Sequence, residues 1–426
     1  MQINDFADIS RRATLALLAV LAAPLRAAPG DASARLRALF DASAAAEAAL
    51  DPLGEPGERR VPVFVDPLSA SYAARLESDK RRELAELRSI DRAALGPVDR
   101  IAYDVFAYRT AQTLALFDDG LFTIQRQVAL NPSFGLQVEL PDFVAGAGAP
   151  FATVADYEAG LERLRGFAGY MDMTIVRLRE GLAAGHVQPR IIVDNILRQV
   201  DAILALPPTA TPFYAAIKRM PPTLPAADRE RLSVAYEDIT ATVVLPAYAR
   251  WKTFLTDTYR PRAPEAPGRS AMKDGARLYA AELARHTTTT MSASEIHALG
   301  LAEVARIRAE MEAVRVGLGF DGDLKALFAY VRSDPKFYCK SEAELLGRFA
   351  AIEARIWQGM PALFRDRPGA PFRVAALPTL GGARGTGYYK PGPPDGVSPG
   401  TLYFNMAMLD TRPIPTLETL TLHEGI

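Results

Sequence analysis

Apolar residues recur every three to four positions over most of the chain, and proline and glycine punctuate them. This pattern predicts helices from Asp31 to about Pro368. Ser69 to Ala94 is rich in Glu, Arg, Leu and Ala and is closed by Gly96-Pro97. Pro97 then opens the next helix, Val98 to Phe117, because a missing N–H costs little in a first turn. Leu121 to Val144 departs from the period: Phe122, Ile124, Val128, Phe134, Leu136 and Val138 mix with Asn131-Pro132 and Pro141. Extended or irregular chain packed on helices is expected there. Thr153 starts a long helix through Tyr157, Leu161, Leu164, Met171, Ile175 and Leu178, ending near Gly181 or Gly185. Pro189 opens another, and Asp228 to Tyr259 is a long candidate that Pro246 should kink. The prolines after residue 260 make 261–268 a candidate subdomain boundary. Ser292 and Glu295 have the spacing of a capping box ahead of Ile296, Leu299, Val304 and Ile307, and Ser341 to Phe364 forms the last long helix of this part.

Beyond Pro368 the texture changes. Phe372 to Val374 and Thr401 to Asn405 read as short strands, separated by a glycine run, Gly381 to Gly387, that suits a loop bordering a cleft. The run lacks the strand–GxGxxG–helix order of a dinucleotide site and the Lys-Ser/Thr of a P-loop. The class is mainly α with a small β element.

The first 28 residues stand apart. Ser10-Arg11-Arg12 precedes an Ala/Leu-rich run, Ala13 to Ala23, too short for a bilayer span of about 20 residues. A charged start, an apolar centre and small residues near a cut site predict a secretory signal. The arginine pair adds a partial twin-arginine pattern. Residues 1–28 are therefore assigned to export, giving a periplasmic or secreted protein with no stable membrane span. The remaining 29–426 form one helical domain.

Charge and cysteine content narrow the chemistry. Lys plus Arg number 49 against 50 Asp plus Glu, a net charge of -1, which argues against a nucleic-acid partner. The single cysteine, Cys339, excludes an intramolecular disulfide, a multi-cysteine zinc site and an iron–sulfur cluster.

Function must then come from a local motif, and the best one lies at Pro415 to Ile426. Thr416 is a good N-cap, Glu418 suits the helix dipole, Leu417 and Leu420 begin a buried face, and His423-Glu424 falls about two turns in. A His-Glu pair on an apolar helix is how zincins begin. The imidazole binds Zn²⁺, the metal lowers the pKa of bound water, and the Glu takes its proton as hydroxide attacks a carbonyl. The strand Thr401 to Asn405, just before this helix, is expected to be the edge strand that pairs with substrate backbone.

The segments "YYKPGPPDGVSPGTLYFN" and "TLETLTLHEGI" resemble the bacterial domain of unknown function 885 family. "LREGLAAGHVQPRIIVDNIL" (Leu178 to Leu197) and "SASEIHALGLAEVARIRAEM" (Ser292 to Met311) extend the resemblance over most of the mature chain. That family is similar to helical zinc metallopeptidases of the His-Glu type, and its members are often exported. The resemblance implies a zincin-like helical scaffold with a small sheet beside the active-site helix, His423 as metal ligand and Glu424 as general base or acid. Family sequences usually continue from His-Glu into Pro-Gly-His-His. This chain stops at Ile426, so the resemblance also implies a site cut within its motif, with the second histidine and a later acidic ligand missing.

The other histidines do not complete a ligand set. His186 sits at a helix end, His286 at a loop or helix end, and His297 in a first helical turn. Tyr388 and Tyr389 either hydrogen-bond substrate or cover a loop, and Asn405 either satisfies a substrate backbone group or ends a strand. Lys80-Arg81-Arg82 reads as a solvated helix face. The leading expectation is an exported zinc-dependent peptidase acting on peptides, here incomplete. A non-catalytic helical protein that binds peptides or small molecules, and another metal-assisted amide or ester hydrolase, are the competing expectations.

Overall fold

The computed structural model describes residues 29–53, 64–147, 151–364, 371–376, 387–392 and 399–425. Residues 1–28, expected from their pattern to be an export signal, and the glycine run at 381–386 lie outside the described residues. Internal contacts divide the chain into two units, Met1–Ala293 and Ser294–Ile426.

The first unit is helical: α1 Pro29–Leu50, α2 Ala70–Arg88, α3 Pro97–Asp118, α4 Leu121–Gln127, α5 Leu136–Asp142, α6 Val154–Ala184, α7 Arg190–Leu204, α8 Ala226–Ile239, α9 Leu245–Phe254 and α10 Gly275–Thr287. Its core is organised by α6. Thr153 Oγ1 accepts from Asp156 N–H while the Asp156 carboxylate accepts from Thr153 N–H, so both ends of a capping box are satisfied. Tyr157, Leu161, Leu164, Phe167, Met171 and Leu178 are buried along one stripe. They meet the equally buried face of α9 (Tyr248, Trp251, Phe254), against which α7 packs, and Val193, Ile196 and Val200 of α7 belong to the same cluster. The helix ends at Gly185, whose φ of 86° is left-handed, and His186 N–H returns to Gly181 O at 2.8 Å.

One expectation is corrected here. The stretch Leu121 to Val144 is helical, as α4, α5 and a π-turn Phe143–Ala147. Buried Leu121, Ile124 and Val128 already have helical spacing, and the break at Asn131-Pro132 falls between the helices, where Asn131 Oδ1 accepts from Ser133 and Phe134 N–H. Seven-residue helices are not stable alone; burial of Leu136 and Leu140 holds them. Pro141 cannot donate to Gln137 O, and Tyr248 Oη donates to that carbonyl instead, at 3.3 Å. The stretch 261–268 runs inside the first unit. Ala263 is buried, Arg190 N–H donates to Pro264 O at 2.9 Å, and Arg190 pairs with Glu265. The division falls at Ala293 and Ser294. Pro246 does interrupt its helix: the backbone widens into a π-turn at Thr240–Val244 immediately before the proline.

The second unit carries α11 Ala293–Gly317 (whose first residue closes the first unit), α12 Leu324–Ser333, α13 Glu342–Leu363, β1 Phe372–Ala376, β2 Gly387–Lys390, β3 Gly400–Phe404 and α14 Leu417–Gly425. The sheet order is β1-β3-β2, with β1 parallel and β2 antiparallel to β3. Leu345, Phe349 and Ile352 of α13 pack with Leu402 and Phe404 of β3 and Leu417 of α14, and Cys339 is buried in the same cluster. In contrast, α11 buries none of its residues, and Val304 and Val314 are exposed.

Candidate functional site

α14 is seated on the second core by one stripe. Leu417 is 1% exposed, Thr421 is fully buried with its Oγ1 donating to Leu417 O at 2.7 Å, and Leu420 packs at the margin. Glu424 lies seven residues after Leu417, on that stripe, and is half-buried; His423 turns away and is exposed. Neither side chain has a hydrogen-bond or ion-pair partner among the described residues. Arg355 of α13 pairs with Glu418 at 2.6 Å and ties the start of the helix down. Thr416 does not cap it: its Oγ1 donates back to Pro413 O at 2.8 Å, because a 3-10 turn, Ile414–Thr416, runs straight into the helix.

The sheet changes the expected substrate edge. Both edges of β3 are occupied, so it cannot pair with a substrate strand; among the described strands the free edges belong to β1 and β2. Tyr388 and Tyr389 lie in β2, not in a loop, and successive strand residues face opposite sides. Tyr389 pairs in register with Leu402, on the face that carries the core and α14, and stacks on Phe372. Its hydroxyl lies where a Cβ on Gly400 would be, so the glycine permits this close approach. Tyr388 faces the other side beside Tyr403, with ring centroids 5.2 Å apart, and burial pushes its phenol pKa up. The fold therefore brings Tyr389 to the α14 side and takes Tyr388 away from it. Asn405 is buried at the end of β3, where its Oδ1 accepts from Ala407 N–H at 3.0 Å in an Asx turn.

Arg412 is a further residue on this core that no sequence motif marks. It lies over the Phe404 ring with Nε donating to Ala407 O, and burial lowers its pKa. Its partners are the nearby Ala407 and Phe404, brought to it by the turn that follows β3, a spacing that no helix or strand period marks.

A catalytic zinc takes three protein ligands and an open position. α14 offers one imidazole and one carboxylate. His186 is engaged with Gln127 Oε1 (2.7 Å) and Asp274 Oδ2 (3.2 Å), His286 pairs with Glu282, and His297 is exposed on α11. Among the described residues no group of three or more His, Cys, Asp or Glu could hold a metal ion. The described donors thus do not fit a complete zinc centre. Burial raises the Cys339 thiol pKa, which leaves it a poor nucleophile. No helix among the described residues is long and apolar enough to cross a membrane.

The architecture has solved counterparts. A crystal structure of a candidate lipoprotein from Colwellia psychrerythraea superposes with a TM-score of 0.68 at 19% identity, covering 92% of this chain and 70% of its own. A candidate lipoprotein of unknown function from Shewanella oneidensis gives 0.58 at 13% identity, over 93% and 70%. At such identities the likeness is one of fold. No curated protein matches the chain. The profile of the bacterial proteins of unknown function termed DUF885 matches residues 62–426, and the chain belongs to that family.

Proposed function

We propose that the protein is an exported hydrolase of the His-Glu metallopeptidase type acting on peptides, with Glu424 as general base and His423 as a zinc ligand. The observation that carries this reading is the state of Glu424. It is a half-buried carboxylate on the packed stripe of α14, without a hydrogen-bond or ion-pair partner among the described residues, next to an imidazole that likewise has none among them. A carboxylate held in place but unpaired is available to take a proton from a reacting group. Tyr389, on the same side of the sheet, is the residue proposed to contact substrate. Zinc is part of the proposal through His423 alone, and its further ligands are not among the described residues. Export is supported by the pattern of residues 1–28 and by the candidate lipoproteins that share the fold.

The test is peptide hydrolysis and bound zinc in the native gene product beside Glu424→Gln and His423→Ala. Loss of the base should lower turnover by roughly 10²–10⁴ with zinc retained. His423→Ala should lose zinc as well. Equal hydrolysis by the native protein and Glu424→Gln overturns the assignment, and saturable peptide binding without turnover in the zinc-loaded native protein replaces it with a binding function.

A further inference from the structure

None of the residues of α11 is buried. Helices in proteins draw most of their stability from packing an apolar face, and α11 lacks that support among the described residues. It does carry such a face. Gly300, Val304, Ile307, Met311, Val314 and Leu318 follow one another at intervals of four and three, the period of a coiled-coil seam. Leu318 lies just past the helix, but its N–H still donates to Val314 O at 2.9 Å and continues the period. The large side chains of this seam are between 40% and 67% exposed. In heptad terms Val304, Met311 and Leu318 stand at a, and Gly300, Ile307 and Val314 at d. Leu301 at e broadens the seam, while Leu299 and Val316 lie off it as single exposed residues, ordinary on a surface.

The residues flanking the seam carry opposite signs. Glu303 and Glu310 fall at g, Arg308 and Arg315 at e. Arg306, which points away from the seam, bonds one oxygen of each glutamate, Glu303 Oε2 and Glu310 Oε1. The second oxygen of each has no partner among the described residues, and neither has the Arg308 guanidinium. Arg315 is already held by Glu312 and Phe320 O, so the pairing rests on Arg308. In a parallel pair of helices each g residue meets the e residue of the following heptad on the other helix, and such pairs set partner and orientation. Glu303 of each copy then faces Arg308 of the other, twice about a two-fold axis. An antiparallel pair would set Glu beside Glu and Arg beside Arg. Since one sequence supplies both halves of the pair, the seam is complementary to itself, as a two-fold interface must be.

We propose that α11 is a self-association helix, joining two copies of this protein as a parallel two-stranded coiled coil along the Gly300–Leu318 seam. The inference is independent of the hydrolase reading.

Sedimentation equilibrium of the native protein between about 1 and 100 µM tests it, with a dimer expected in that range. Val304→Asp alters an exposed position, so circular dichroism should show the fold retained. It should raise the dimer dissociation constant at least about 100-fold, because two carboxylates would meet in the seam. Glu303→Arg and Arg308→Glu should each weaken self-association about tenfold, and mixing the two variants should restore it. Gly300→Cys, at a position where a Cβ meets nothing within 4 Å, should cross-link the two copies by a disulfide, since equivalent d residues adjoin in a parallel coil. A native protein that stays monomeric at the highest concentration overturns the proposal; slow amide exchange along α11 in that monomer would assign the seam to other residues of the same polypeptide. A dimer unmoved by Val304→Asp overturns it equally, and a dimer that Gly300→Cys fails to cross-link refutes the parallel pairing.

Discussion

Replacing Leu417 and Leu422 separately by Ala puts the same chemical change at two positions on one helix, with opposite expected results. Leu417 is 1% exposed in a cluster with Phe349, Leu402 and Phe404, whereas Leu422 is 49% exposed. Removing a buried leucine side chain forfeits about 1.5–3 kcal/mol of transfer energy and leaves a cavity, which brings the usual total to about 2–5 kcal/mol. The core around Leu417 is built from aromatic rings and a β-strand that cannot easily collapse, so the upper half of that range is expected. Leu422 is already half in water and leaves no cavity; its loss should stay under about 1 kcal/mol. The consequence for α14 is larger than the number suggests. A nine-residue helix is not stable alone, so Leu417→Ala should release the segment that carries His423 and Glu424. Urea unfolding gives the two free energies, and amide hydrogen exchange at Leu420 and Thr421 reports whether the helix opens. Comparable losses for both variants, or undiminished amide protection in Leu417→Ala, would refute the account of how this helix is held.

Two further predictions concern the first unit. Gly181→Ala would normally gain up to about 1 kcal/mol of helix propensity. Here the new Cβ would sit 2.4 Å from Gln127 O and 2.9 Å from His186 O, both backbone atoms that cannot rotate away. A net loss of at least about 1 kcal/mol in urea unfolding is expected, and a more stable variant would sink the argument. Asp79 is buried, which raises its pKa, but hydrogen bonds from Arg75 and Arg82 outweigh burial and hold it below the usual carboxylate value. A depressed folded pKa gives stability that is present above about pH 4 and lost as pH falls through the folded value. Asp79→Asn should therefore flatten the acid limb of the stability–pH curve; an unchanged limb contradicts the pairing.

Local chemistry accounts for much of what could be read along the chain. The helix through Tyr157 and Leu178, its start at Thr153 and its end at Gly185 follow from period, capping and a left-handed glycine, all of which act within a few residues. The same holds for the break at Pro246 and for the His-Glu pair near the end of an apolar helix. Over Leu121 to Val144 the breakers Asn131-Pro132 and Pro141 mask a helical spacing that the sequence does contain. Those helices exist because Leu136, Leu140 and the Tyr248 hydroxyl, contributed from α9, make them worthwhile.

Tertiary pairing decided the rest. That β3 is central and not an edge depends on β1 and β2 closing on its two sides, which no single strand's composition encodes. The separation of Tyr388 from Tyr389 follows from strand alternation once β2 exists. The difference between half-buried Glu424 and exposed His423 follows from which side of α14 meets α13 and the sheet. Lys80, Arg81 and Arg82 look alike in sequence, yet only Lys80 is buried, because α1 supplies Glu47 opposite it. Sequence determines what each residue can do and the periodic face it occupies. Which of those faces is packed, paired or left open to a ligand is a long-range matter, settled by the elements that arrive from elsewhere in the chain.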